Sequence, residues 1–369
     1  MSNVLFVGLD VDDNAFHLAG ICQQTGEILQ NKTKPQLAAL IKQLSVWRDR
    51  GFELRICYEA TYVGFALYRD LKEAKFESEV IAPSLIPEIK GPKVKTDRLD
   101  SRKLAEHYMK GSLTPIYVPS LEDEATRDLT RSRAFLVDQL KAIKQHVIAT
   151  MRRMGLNYKH ENPKSEYWSK RHRTWISKQI ALTSMAPLKA NLSNLLCVLS
   201  SLESQLCCYE DEIEVYAESE KYKPQAQALM SYRGISSITA MTLITELGDI
   251  NRFPHPKQLV SYAGLDLSEY SSGGHQRRYH ITKAGNRFIR KALVESAQCC
   301  GNPPRISKSL MKRRQNVKPE NIAVADRCMK RLYRKASLLR RREKPANKIK
   351  VACARETLGF IWESLRLVS

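Results

Sequence analysis

Val4-Leu5-Phe6-Val7-Gly8-Leu9-Asp10 opens the chain as an apolar run that stops at an aspartate, the pattern of a buried strand with a polar group at its end. Residues 15–22 resume the apolar pattern after a polar break, and Thr25-Gly26 marks a turn before residues 27–29. This predicts three short strands joined by hairpins. Residues 36–48 carry Leu37, Leu40, Ile41, Leu44 and Val46-Trp47 at near-helical spacing. There follow a strand over 54–58 ending at Glu59, a helix from about 62 to 71 and a strand over 79–82. A Pro-rich basic loop over 83–95 then leads into a helix over 97–108.

Three strands, helix, strand, helix, strand, helix is the order of the ribonuclease H-like fold, and the acids fall where that fold places metal ligands. Asp10 ends the first strand, Glu59 the fourth, and Asp97 and Asp100 share one face of the last helix at i, i+3 spacing. Hard carboxylate oxygens on rigid elements suit Mg²⁺ (or Mn²⁺) and phosphodiester chemistry. Asp12 is a possible auxiliary and Asp13 reads as a turn residue. Lys93, Lys95, Arg98 and Arg102 give the acids a positive rim for a phosphate backbone. Gly8-Leu9-Asp10 also resembles the start of sugar kinases and actin-like ATPases, but those need an Asp-Gly-Gly-Thr-like phosphate loop that is not found in the sequence.

Across 369 residues, 60 Lys and Arg stand against 39 Asp and Glu, a net charge of +21. That excess excludes an ordinary small-metabolite enzyme and points to a polyanion, nucleic acid first. No apolar run reaches the roughly 18 residues that would suggest a membrane span, and no signal peptide is evident. Nine cysteines, never spaced Cys-x-x-Cys, argue against a zinc site or a disulfide framework and fit reduced, mostly packed thiols in a cytosol.

A second chemical locus is Tyr270-Ser271-Ser272-Gly273-Gly274-His275-Gln276-Arg277-Arg278. Two hydroxyls precede two glycines that let backbone approach a phosphate, and His275, Arg277, Arg278 and Lys283 supply positive charge. Between the two loci, residues 121–154 carry an apolar seam at Leu129, Leu136, Leu140, Ile143, Val147 and Met154. Leu192, Leu195, Leu199, Leu202, Leu206, Tyr209, Ile213 and Tyr216 step by threes and fours, the spacing of a coiled coil, paired within one chain or between chains. Residues 231–253 resemble a helix-hairpin-helix, with Ser236 where a second glycine is expected. Residues 302–350 hold 17 Lys and Arg against three acids, among them Arg340, Arg341 and Arg342, and read as a polyanion-binding surface or arm. Residues 351–367 close the chain as a helix with Trp362.

Gly8-Leu9-Asp10-Val11-Asp12, Glu59, residues 95–100, Gly264-Leu265, Ser271-Ser272-Gly273-Gly274 and residues 281–286 together resemble the insertion-sequence recombinases of the IS-one-ten family, relatives of Piv-type DNA invertases. Leu267 and His280 depart from residues usual in that family. The resemblance implies a RuvC-like domain with a metal-binding tetrad at Asp10, Glu59, Asp97 and Asp100. It also implies a transposase domain whose serine, by position Ser271, attacks DNA, and a structured bridge RNA that pairs with target and donor DNA. The expected regions are a RuvC-like domain over 1–118, a helical coiled-coil linker or dimerisation region over 119–224, and a mainly helical transposase domain over 225–369. A homodimer assembling to a tetramer in a bacterial or archaeal cytosol is the expected setting. A metal-dependent junction-resolving nuclease and a non-enzymatic RNA- or DNA-binding protein are the alternatives, and Ser272 remains a rival to Ser271.

Overall fold

The structure is a computed structural model that describes residues 3–87, 97–272 and 275–368; side chains at 97, 98, 269–272 and 275–279 lie outside that description. The chain divides into two compact units, residues 1–119 and 120–369.

The first unit follows the predicted order: β1 (Asn3–Val11), β2 (Phe16–Cys22), β3 (Ile28–Thr33), α1 (Leu37–Asp49), β4 (Phe52–Glu59), α2 (Ala66–Glu73), β5 (Glu77–Ile81) and α3 (Asp97–Met109). Its five strands form one mixed sheet in the order β3-β2-β1-β4-β5. The hairpin-linked strands pair antiparallel, and β1–β4 and β4–β5, reached through helical crossovers, pair parallel. β1 runs one residue past Asp10, because Val11 still buries its side chain in the core. The helix expected from about 62 starts at Ala66, after a turn in which Gly64 takes φ 61°.

Alternation along the strands separates two faces. Leu5, Val7 and Leu9 of β1 pack with Leu40 and Leu44 of α1 and Leu67 and Leu71 of α2. On the other face Cys57 and Ile81 pack against Leu104 of α3, and the Phe6 ring meets Tyr108 edge-on at 5.4 Å.

The second unit contains α4 (Leu121–Arg153), α5 (Tyr158–Glu161), α6 (Lys170–Leu182), α7 (Ala186–Ala217), α8 (Lys223–Met230), α9 (Ser237–Leu247) and α10 (Pro256–Tyr262). A hairpin of β6 (Leu267–Ser272) and β7 (His275–Ile281) follows, then α11 (Arg287–Ser296), α12 (Lys308–Arg313), α13 (Pro319–Arg341) and α14 (Ala346–Arg366). Ser120 caps α4, accepting from Asp123 N at 3.1 Å. α4 and α7 pair antiparallel within the chain, tied by Lys144–Glu203 at 3.1 Å, Arg133–Glu210, and Lys221–Glu122 at 2.9 Å beyond the end of α7. Val147, Leu192, Leu199 and Ile213 of the expected seam are buried. Met154 is 47% exposed because α4 ends at Arg153, and Met151 is buried instead.

The glycine of the hairpin-helix resemblance, Gly234, sits at φ 90° with its Cα pressed on the backbone of α11's end, where a Cβ would stand 2.5 Å from Ser296 O. Residues 302–350, expected as a surface or an arm, are folded into the second unit, largely as α12, α13 and the start of α14. Val324, Cys328 and Leu332 of α13 join the core, Arg314 donates to Ser231 O at 2.9 Å, and Arg331 pairs with Glu356 at 3.0 Å. α14 closes this core, with Trp362 Nε1 donating to Phe253 O at 2.7 Å. All nine cysteines are free, and Cys197, Cys207 and Cys208 of α7 are exposed rather than packed. Among the described residues no helix is long and apolar enough to cross a membrane.

Candidate active site

Two acids meet at one end of the sheet because the strand register brings them together. Leu9 of β1 lies opposite Tyr58 of β4, so the next residues, Asp10 and Glu59, are neighbours across two parallel strands about 4.8 Å apart. By alternation Asp10 shares its face with Phe6 and Gly8, and Glu59 shares the same face with Cys57. That face is the one α3 covers.

Gly8 sets how closely α3 approaches. A Cβ there would stand 2.3 Å from Ser101 O and 2.6 Å from Ala105 N, so only glycine admits the helix backbone onto β1 at this point. Tyr108 lies over Phe6 and Ser101 over Gly8, so α3 runs antiparallel to β1 and its first turn, residues 97–100, advances toward the Asp10 and Glu59 end. Asp10, Glu59 and Asp100 are each partly exposed, accessible to a solute. The Asp97 side chain lies outside the described residues, and among those described no three His, Cys, Asp or Glu side chains form a group that could share a metal ion. Asp12 accepts from Asn14 N at 2.9 Å and from its side-chain amide at 2.8 Å, bonds that hold its carboxyl below the usual range. Asp13 accepts from the Tyr62 hydroxyl at 2.8 Å, which raises the phenol's pKa.

In the second unit Ser271 and Ser272 end β6, paired with Gln276 and His275 of β7. Backbone bonds knit the base of this hairpin: Thr282 N to Asp266 O at 2.8 Å, Lys283 N to Gly264 O at 3.1 Å and Asn286 N to Tyr262 O at 2.8 Å. Gly264 and Gly285, both at positive φ, let those segments touch, since a Cβ on Gly285 would lie 2.4 Å from Tyr262 O. The glycines of the two quoted motifs therefore face each other across one joint.

Below that joint sits a residue that sequence reasoning missed. Glu246 of α9, whose side chain is 1% exposed, takes both forks of Arg131 from α4 at 2.6 and 2.9 Å and the Asn286 side-chain amide at 2.6 Å. Asn286 Oδ1 in turn accepts from Phe288 N and Ile289 N, capping α11. Paired carboxylate and guanidinium with satisfied lone pairs make this a rigid anchor, where a lone buried charge would be costly. Its one sequence signal is a solitary acid in the otherwise uncharged helix 237–247.

Comparison with known proteins joins the two units. Residues 7–155 match a family described as "Transposase", and residues 226–310 match one described as "Transposase IS116/IS110/IS902 family". The putative transposase y4qE of Sinorhizobium fredii is 33% identical over 376 residues, covering 98% of this chain and 88% of the relative. The chain belongs to the IS110/IS116/IS902 transposase family. The transposase for insertion sequence element IS1533 of Leptospira borgpetersenii is 26% identical, covering 91% of this chain and 96% of that one. The transposase for IS1111A of Coxiella burnetii is 23% identical, covering 81% and 78%. As an insertion-sequence transposase of this family, the chain acts in DNA transposition, in line with its charge.

Lys93 and Lys95 fall outside the described residues, as do the side chains of Arg98, Arg277 and Arg278. Arg102 pairs with Glu106 at 3.0 Å. Lys283 is exposed at φ 56°, in the hairpin joint. Arg341 and Arg342 are exposed at the end of α13, while Arg340 also donates to Gly301 O at 3.1 Å.

Proposed function

We propose that this transposase cuts and rejoins DNA through a transient phosphoserine link made by Ser271, with Asp10, Glu59, Asp97 and Asp100 holding Mg²⁺ or Mn²⁺ and a structured RNA guiding the choice of DNA. The observation that carries the metal half is the β1–β4 register, which sets Asp10 beside Glu59 on the face that Gly8 opens to α3. The donor set, carboxylate oxygens on strand ends and a helix turn, fits a hard divalent cation. Such an ion, when bound, supplies positive charge to the attacking and leaving oxygens of phosphodiester exchange. An antiparallel three-strand meander continued by two parallel strands supports a ribonuclease H-like, RuvC-like domain.

The hairpin half rests on place in the fold. Ser271 lies near the turn of a hairpin whose base is fixed by Gly264, Gly285 and the Glu246 anchor, a rigid footing that favours a nucleophile carried on it. The serine and the acids meet across subunits of a homodimer that assembles to a tetramer. In the attack the Ser271 oxygen bonds to phosphorus as the bond to a sugar oxygen breaks, and the proton Ser271 gives up is balanced by one taken up on that leaving oxygen; in rejoining, a sugar hydroxyl of the new strand attacks the phosphoserine and Ser271 regains its proton.

Trapping the protein on element-end DNA with its RNA, digesting with nuclease and mapping the residual nucleotide by mass spectrometry tests this reading. Ser271→Ala should assemble but form no adduct, and Ser272→Ala should form it more slowly. A remnant on Ser272 reassigns the nucleophile. Cleavage with no remnant on either serine makes the protein a metal-dependent nuclease whose hairpin only grips phosphate.

A further inference from the structure

The long α4–α7 pair carries a small cap between its helices, α5 and α6, and its charge is segregated. Residues 139–202 hold 11 Lys and Arg and two acids, whereas residues 203–220 hold seven acids and no Lys or Arg. A face that serves only solubility intersperses the signs. One of the cap's two acids, Glu161, is engaged with Trp175 Nε1 at 2.8 Å.

α6 is oriented by its inner side. His172, Ile176 and Ile180 are buried, the two isoleucines against Val147, Met151, Leu188 and Leu192. Lys170, Arg171, Thr174, Ser177 and Lys178 then occupy the exposed side. They form a stripe about 12 Å long, and among the described residues Lys170, Arg171 and Lys178 make no ion pair. The Thr174 and Ser177 hydroxyls donate to Lys170 O and Arg173 O of their own helix, so the three cations are the groups left to meet phosphate.

We propose that this outer face of α6 docks on the phosphate backbone of duplex DNA. Duplex is favoured over a single strand because the cap offers no free ring for base stacking. Lys144 and Arg173 lie 5.7 Å from the Trp168 ring centre, Arg152 and Lys159 lie 5.8 and 5.3 Å from that of Tyr167, and Tyr158 is buried. DNA is favoured over RNA because transposition acts on DNA. One DNA strand carries a phosphate about every 3.4 Å of axis, so the stripe meets about three. The inference depends on DNA as substrate and on neither the serine nor the metal. At 1.5 Å per residue, α4 sets its cap end at Arg153 about 33 Å along the helix from Arg131.

The test compares full-length protein with a Lys170→Gln/Arg171→Gln/Lys178→Gln variant on a DNA duplex containing the element end, reading log affinity against log salt. A Lys32→Gln/Lys34→Gln/Lys42→Gln variant removes the same charge from exposed sites in the first unit. Unchanged tryptophan emission from Trp168 and Trp175 certifies the cap's fold. The expected result is a slope shallower by about two to three units in the α6 variant, at about 0.9 per phosphate contact, and little change in the other. Equal flattening in both variants reduces the effect to net charge and overturns the proposal, as does an unchanged slope. A larger loss on an RNA duplex of the same length than on DNA reassigns the face to RNA and overturns it as well.

Discussion

At Gly8 one methyl group separates a closed sheet face from an open one. Alanine there would drive its Cβ into Ser101 O and Ala105 N, atoms of helix backbone that cannot rotate aside. Gly8→Ala should therefore push α3 off β1, at a cost of about 1–3 kcal/mol, and carry Asp97 and Asp100 away from Asp10 and Glu59. The expected outcome is DNA cleavage falling far more than DNA affinity, measured side by side; equal losses would mean that the acids do not act together. The strands that end near Asp10 and at Glu59 were legible in the sequence because strand patterning is local, whereas Gly8's closeness to α3 showed only in three dimensions. Nor was Glu246 legible. A buried acid is identified by its partners, and those partners, Arg131 and Asn286, lie 115 and 40 residues away.

Among the elements, the cap between α4 and α7 depends on a histidine kept neutral. His172 accepts from Trp168 N at 2.8 Å, packs 4.4 Å from the Tyr158 ring centre and is buried. Burial, then Arg173 and Lys159 beside it, bring its pKa down to about 4 from the usual 6.5. The unfolded cap thus binds a proton that the folded cap refuses, so the stabilising contribution is whole above about 6.5 and is lost as pH falls toward 4. Acidification through that window should lower the cap's melting temperature, followed by emission of Trp168 and Trp175; a flat profile would place the proton elsewhere. Helical periodicity announced α4 and α7, and their pairing within one chain followed only from three-dimensional contacts such as Arg133–Glu210. The basic stretch was legible as charge, but its partition was not. Arg314 and Arg331 hold the fold together through Asp326 and Glu356, and Arg341 and Arg342 remain at the surface.

For the whole molecule, the two compact units imply two main melting transitions, one for residues 1–119 and one for residues 120–369, with the cap's own small core of Val147, Met151, Ile176 and Leu192 lying in the second. If Asp10, Glu59, Asp97 and Asp100 hold a divalent ion, Mg²⁺ should raise only the first, by about 2.7 kcal/mol at a hundredfold excess over Kd, and Asp10→Asn should abolish the shift. Calorimetry in EDTA and in Mg²⁺ decides this, and transitions that ignore the ion would count against the carboxylate site. The strands and helices of the first 109 residues were readable, since their patterning is local; the bond between Glu246 and Arg131 was not, because it joins the helical middle to the C-terminal part only in space. That same bond has a consequence in time. Arg131 leaves the ribosome 115 residues ahead of Glu246, an interval of about 6 to 23 s at ordinary rates of synthesis, and Tyr232 waits 132 residues for Ser364 of α14. When residues 267–281 emerge, the acidic strand ends and both partners of the Arg131–Glu246 bond have already been made, but Asn286 and α14 have not, so the serine hairpin is built for a time on half its footing.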